Sequence, residues 1–367
     1  MWRYANPVAI HWTGDVTRLL PGLLPSGKGV LFAYPQFREP DAAGLLSGPL
    51  DGVPVFSGIE NNPTPGQVQQ AIDFAFPLRP QWILAIGGGS VLDTAKLVRL
   101  ALACDCRRID ELLELTPREP RPPGPLLLAI PTTHGTGAEL TMWTTVWDKG
   151  GGRKLSLSHP GNYPDIAIYS PAMTYGLPLP VSFAATLDAL AHALEALWNR
   201  NANPVSDELA SAAVQLISEN LERLADPVPH EVRASLLQAS MFAGLAFSNT
   251  KTAAAHSISY PLTLRLGVPH GIACAMSLAE LWRINAPQMP RKAERLRRLL
   301  GGEDFADALK RLLRFAAARM PFTLAAYGAR PDDLAKLVRE SFTKGRMDNN
   351  LVDLSPADVR AVLEAAF

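Results

Sequence analysis

Hydrophobic and polar positions divide the chain into two textures. Up to about residue 178, short apolar runs alternate with stretches of helical spacing. The runs Val8–Trp12, Gly29–Ala33, Val53–Ser57, Trp82–Ile86, Leu126–Ile130, Met142–Trp147 and Ile166–Tyr169 read as strands. Thr64–Phe76 and Ser90–Ala103 read as helices between them. Strand then helix, repeated, predicts a mainly parallel sheet covered on both faces. Pro117–Pro125 has no periodicity and reads as a loop.

After Leu177-Pro178-Leu179-Pro180 the strand signals end. Ala/Leu-rich helical windows follow at Ser182–Trp198, Ser206–Leu224, Glu231–Phe247, Ala253–Leu266, Gly271–Ile284, Phe305–Ala318, Asp332–Thr343 and Pro356–Ala366. The pattern predicts an α/β domain over 1–178 and an all-helical domain over 179–367. A ligand cleft between two such halves is the default expectation.

Composition narrows the class. The 367 residues carry 35 basic and 35 acidic side chains, so no bulk charge draws the chain to nucleic acid or an anionic membrane. Hydrophobic residues make up 47% and charged residues 19%, which suits large packed cores and excludes disorder. Three cysteines are too few for a disulfide scaffold, and Cys104 and Cys106 form an isolated C-x-C that no second pair completes into a zinc ribbon. No run of about 18 apolar residues predicts a membrane span, and Met1–Pro7 does not read as a signal peptide. A cytoplasmic protein is expected.

Two loops follow predicted strands. After Ile83–Ile86 comes Gly87-Gly88-Gly89-Ser90, and Val91–Lys96 then begins a helix. Glycines let the backbone approach a ligand closely, and the free N–H groups of a helix start suit a pyrophosphate. The loop matches neither G-x-G-x-x-G nor a Walker A sequence. On its own it can equally be a glycine-rich turn at a helix cap. The second loop, Pro131-Thr132-Thr133-His134-Gly135-Thr136-Gly137-Ala138-Glu139, follows Leu126–Ile130. Its hydroxyls could line a cofactor cleft or form an ordinary polar turn.

The helical half holds candidate metal ligands. Asp188 and His192 stand at i, i+4, which stacks both on one helix face. His256 and His270 are too far apart on one straight helix, about 21 Å. Gly267-Val268-Pro269 interrupts that helix and lets the chain turn His270 back. One carboxylate and three imidazoles suit Fe²⁺ or Zn²⁺. Separate core and surface histidines are the other reading.

These motifs together resemble the iron-dependent (group III) alcohol dehydrogenases. The resemblance rests on Gly87–Lys96 (GGGS-x-x-D-x-A-K), Pro131–Glu139 (P-T-T-x-G-T-G-x-E), Asp188-Ala189-x-x-His192, and His256 through His270-Gly271, in family order over nearly the whole chain. It implies an α/β dinucleotide-binding domain followed by an all-α metal-binding domain, the fold shared with dehydroquinate synthase. It implies reversible hydride transfer between NAD(P)H and a carbonyl or alcohol, with Fe²⁺, Zn²⁺ or another divalent ion bound in the cleft. By the same resemblance Asp188, His192, His256 and His270 are ligands. Gly88, Gly89, Ser90 and Asp93 match pyrophosphate and nicotinamide contacts, Asn62 an adenosine-side turn, and Thr132, Thr141 and Lys154 further cofactor contacts. Phe247 matches an aromatic lid over the substrate. A small-molecule aldehyde or alcohol, no nucleic acid or membrane, and a homodimer are the partners expected. A dehydroquinate synthase-like carbon–oxygen lyase and a non-catalytic dinucleotide sensor are the alternatives.

Several positions depart from the family. Where many members carry a second histidine, four residues after the third ligand, this chain has Tyr260. Tyr260 could donate the proton or be a packed aromatic. Lys251 lies five residues before His256, Trp143 and His134 replace smaller or less polar residues, and Lys344 and Arg346 lie in a segment that borders the family's substrate pocket. Either the cations serve that pocket or they are solvated. Trp2–Val8, Thr145–Asp148, His256–Thr263 and Gly345–Met347 look most like the subfamily assigned as phosphonoacetaldehyde reductases, which implies a short anionic aldehyde. The strand Gly29–Ala33 ends in Tyr34-Pro35-Gln36-Phe37-Arg38, without the acidic residue that holds a ribose 2′-hydroxyl. NADP(H) is therefore expected over NAD(H), with Arg38 adding attraction.

Overall fold

The computed structural model describes residues 1–35, 44–116, 122–148 and 150–367. Arg38 and the first part of the Pro117–Pro125 loop lie outside the described residues. Two compact units are present. One comprises Pro7–Thr133 and Ala138–Gly176; the other comprises Leu177–Phe367 with two short segments, Met1–Asn6 and His134–Gly137.

The first unit holds strands β1 (Ala9–Trp12), β2 (Gly29–Ala33), β3 (Val55–Phe56), β4 (Trp82–Gly87), β5 (Leu126–Pro131), β6 (Trp143–Asp148), β7 (Arg153–Ser158) and β8 (Ile166–Tyr169). Six of them form a parallel sheet in the order β1-β8-β5-β4-β2-β3. Helices α1 (Val16–Leu23), α2 (Pro65–Leu78), α3 (Gly89–Cys104) and α4 (Ile109–Leu113) complete the unit. Val68, Ile72, Leu92 and Val98 pack on one sheet face and Val16 and Leu20 on the other, so both faces are covered. β2, β4, β5 and β8 are near-continuous apolar runs because neither face meets water.

Two local expectations needed correction. β3 keeps only two residues of the expected Val53–Ser57 run. β6 does not join the parallel sheet; it pairs antiparallel with β7, which the pattern did not predict because Arg153–Ser158 carries only two apolar residues.

The second unit is built from α5 (Leu179–Leu197), α6 (Pro204–Asn220), α7 (His230–Thr250), α8 (Ala254–Leu266), α9 (His270–Ala275), α10 (Leu278–Asn285), α11 (Pro290–Leu299), α12 (Phe305–Ala317), α13 (Leu334–Glu340) and α14 (Pro356–Glu364). The expected single helix Gly271–Ile284 is two, α9 and α10. The charged α11 was not expected from apolar spacing, since among its residues only Leu296 is buried. From Thr186 to Leu197 every residue of α5 is buried, as suits a helix surrounded by others. No described helix is long and apolar enough to cross a membrane.

Candidate metal centre and dinucleotide loop

α8 ends where Gly267 takes a left-handed conformation, φ 70°. Val268 and Pro269 then lead into α9, which begins at His270. A Cβ on Gly271 would lie 1.9 Å from the Ala184 carbonyl oxygen. Only glycine lets α9 press this close to α5, and that contact brings His270 to Asp188.

The result is a buried polar cluster. The His256 Nε2 lies 3.5 Å from Asp188 Oδ1, and the His270 Nε2 lies 4.0 Å from the same oxygen. Ligand atoms of Asp188, His256, His270 and Cys274 all fall within 4.8 Å of one another. His192 lies against this group rather than within it. Its ring stacks on His256 at 4.4 Å and on Phe247 at 4.0 Å.

The opposite ring nitrogens are all engaged. The His192 Nδ1 donates to the Gly135 carbonyl at 3.2 Å. The His256 Nδ1 donates to Glu195 Oε2 at 2.7 Å. The Ser259 hydroxyl donates to the His256 carbonyl, so its oxygen is an acceptor for the His270 Nδ1 at 3.4 Å. These bonds place a proton on each Nδ1 and leave each Nε2 to a cation, which would displace any second proton. A Cβ on Gly135 would meet the Ala185 carbonyl at 2.6 Å, so glycine is also required where the loop reaches His192. His256 Nε2 and Asp188 Oδ1 are buried and have no hydrogen-bond partner. Two orphaned buried polar atoms 3.5 Å apart would be costly unless something joins them. A divalent cation does so, and the donor set fits one.

Charge follows the same logic. Burial would raise the Asp188 carboxyl, but the His192, His256 and His270 rings hold it well below the carboxylate range. Burial also favours ionising Glu195 less, yet His256 and the backbone N–H groups of Ala253 and His256 keep it ionised. Burial brings His192 down to about 4, so it stays neutral and able to bind a cation.

The residues near this cluster sort clearly. The Tyr260 ring stands 6.3 Å from the His270 ring, and its hydroxyl accepts from Arg346 Nε at 3.2 Å. Arg346 also donates to the Gly345 carbonyl, and no carboxylate pairs with it among the described residues. Lys251 caps α7 with φ 68°, its carbonyl accepts from Asn199, and its side chain is exposed. The buried His134 bonds through Nε2 to the Ser182 carbonyl, and burial brings it down to about 4.

In the first unit, Ile86 pairs with Ile130 and Gly87 with Pro131, so the two loops leave neighbouring strands side by side. The Thr132 N–H donates to the Gly87 carbonyl at 3.1 Å. Gly88 is the N-cap of α3 and no side chain caps that helix, which leaves first-turn N–H groups of Gly89 and Ser90 for an anion. Asn62 sits at φ 59° and donates its N–H to the Ser90 hydroxyl at 3.1 Å. Lys154 lies over the Trp147 ring at 5.1 Å. Asp93, Thr141 and Trp143 meet at Lys96, which is fully buried. Its ammonium donates to Asp93 at 3.0 Å, Thr141 at 3.3 Å, and the Ala138 and Trp143 carbonyls at 2.9 and 2.6 Å. The other Asp93 oxygen accepts from the Thr145 N–H. These polar atoms tie the loop after β5 to α3.

Sequence reasoning missed Glu195, Ser259, Cys274 and the role of Lys96. The first three had a readable signal. Glu195 is three residues after His192, Ser259 three after His256, and Cys274 four after His270, each on the ligand's own helix face.

Comparison with known proteins matches both units. Residues 41–171 fit the iron-containing alcohol dehydrogenase family, and residues 182–367 fit the C-terminal part of the same family. A phosphonoacetaldehyde reductase of Streptomyces viridochromogenes is 34% identical over 93% of this chain and 90% of its own length. The chain belongs to the iron-containing alcohol dehydrogenase family. It is an oxidoreductase acting on CH–OH groups. A sulfoacetaldehyde reductase of Bilophila wadsworthia is 28% identical over 90% of this chain and 88% of its own. Among solved structures, a sulfoacetaldehyde reductase from Bifidobacterium kashiwanohense in complex with NAD⁺ superposes with a TM-score of 0.89 at 27% identity, over 100% of this chain and 98% of that one. Membership disfavours the lyase and sensor alternatives.

Proposed function

We propose that this alcohol dehydrogenase reduces a short anionic aldehyde with NADPH, phosphonoacetaldehyde first and a sulfonated or carboxylated analogue next. The observation that carries the metal-dependent part is the orphaned pair His256 Nε2 and Asp188 Oδ1 inside a set of correctly tautomerised imidazoles. Asp188, His192, His256 and His270 would hold the ion. A bound divalent ion supplies Lewis-acid stabilisation of negative charge on a carbonyl oxygen. Glu195, Gly135 and Ser259 orient the three rings. Gly88, Gly89 and Ser90 bind the pyrophosphate of the dinucleotide that carries the hydride, with Asn62, Asp93, Thr132, Thr141 and Lys154 shaping that site. Phe247 stacks on His192 and shields the substrate from water, and Trp143 is the second aromatic assigned to the substrate.

The anionic substrate rests on Lys251 and Arg346, neither of which has a carboxylate partner among the described residues. Arginine can grip a phosphonate bidentately. Tyr260 holds Arg346 and donates the proton to the developing alkoxide. The reductases of two anionic aldehydes among the relatives support this reading. NADPH preference rests on the missing acid after β2. A homodimer in the cytoplasm is part of the same reading.

The test is turnover with NADPH and NADH on phosphonoacetaldehyde, sulfoacetaldehyde and neutral aldehydes of equal length, with and without Fe²⁺. Lys251→Met and Arg346→Met should each cut selectivity for the anion by roughly tenfold to a hundredfold, the loss of a charge-assisted hydrogen bond. Unchanged selectivity in both variants overturns the anion pocket. Equal efficiency with NADH overturns the cofactor preference.

A further inference from the structure

Cys274 is fully buried on the first turn after His270, at i+4. Its sulfur lies 4.0 Å from the His270 Nε2 and within 4.8 Å of the ligand atoms of Asp188 and His256. Ligands 2.0–2.3 Å from one tetrahedral ion stand about 3.3–3.6 Å apart, so small side-chain shifts bring all four onto one ion. The two orphaned atoms, on His256 and Asp188, belong to the same four-residue group. We infer that a thiophilic divalent ion, Zn²⁺ or Co²⁺, in this site takes the Cys274 sulfur as a ligand beside Asp188, His256 and His270. The inference rests on the metal-site reading above and deepens it.

The step is a ligand exchange. A sulfur–metal bond forms, the thiol S–H bond breaks heterolytically, and the proton passes to bulk water; no electron is transferred. Thiolate suits Zn²⁺, and Co²⁺ binds N/O/S donor sets more tightly than Fe²⁺ does. Asp188 and His192 already stand ready without the thiol, so Fe²⁺ has an alternative fourth ligand in His192.

The experiment loads the full-length protein, with Cys104 and Cys106 changed to serine, with Co²⁺ alone. The visible d–d bands report occupancy, and a near-ultraviolet sulfur-to-cobalt charge-transfer band reports the thiolate. The expected result is both bands in this background and loss of only the charge-transfer band on adding Cys274→Ser. Cys274→Ala, checked for folding by circular dichroism, gives the same answer if the serine variant misfolds. Cobalt bands without charge transfer overturn the cysteine ligand while leaving the metal site standing. A charge-transfer band that survives both Cys274 variants also overturns it. Absence of every cobalt band overturns the metal site and the inference together.

Discussion

The polar cluster around Asp188 and the glycine loop after β4 offer different kinds of donor. The loop offers backbone N–H groups at the start of α3, which the chain supplies within a few residues of Gly88. The cluster offers side chains from α5, α8 and α9, each neutral or charged as its neighbours dictate. Backbone sites tolerate change in most side chains but not loss of glycine. Side-chain sites depend on every ring being turned the right way by an atom from elsewhere.

Four experiments separate the two. The largest effect is expected from His256→Ala. It should remove the ion and lower turnover by on the order of a thousandfold or more, the several kcal/mol that a Lewis acid supplies. Dinucleotide binding, followed by fluorescence, should stay as in the parent, and a variant that keeps both metal and activity breaks the comparison.

Tyr260→Phe comes next. Loss of a general acid should cost roughly a hundredfold or more in kcat, with little change in metal content. A fully active variant would leave Tyr260 only its bond to Arg346.

Glu195→Gln keeps the shape but gives His256 a weaker partner. Metal affinity, measured by competition with a chelator, should fall about 10–100-fold, as for other groups that orient a metal-binding histidine. Parent-like affinity would show that the His256 tautomer does not need the carboxylate.

The smallest effect is expected from Gly88→Val. A Cβ there would stand 3.1 Å from the Thr133 methyl, and the branched carbons would crowd the anion. Cofactor KM should rise about tenfold, in line with a misfit of 1–3 kcal/mol, while metal content is unchanged. A shift in metal content instead would mean that the loop and the cluster are coupled.

Much of the architecture is legible in the pattern of apolar residues. The β2, β4, β5 and β8 runs are buried on both sheet faces, so their sequences are apolar throughout and stand out. β7 and α11 were not legible, because a half-exposed ribbon strand and a charged surface helix bury too little to show a period. The Gly267–Pro269 break was readable from residue type alone, and the structure turns there.

The sequence by itself determined where the chain can bend and which polar residues repeat on one helix face. Those are local properties, set by φ preferences and the 3.6-residue turn. Tertiary structure alone decided that Gly135 and Glu195 fix the tautomers of His192 and His256, that Lys96 is buried beneath Asp93, and that Cys274 joins the ligand group. Those outcomes depend on which distant atoms fill a buried volume. Hydrogen bonding and desolvation act there over a few ångströms in space, without regard to separation along the chain.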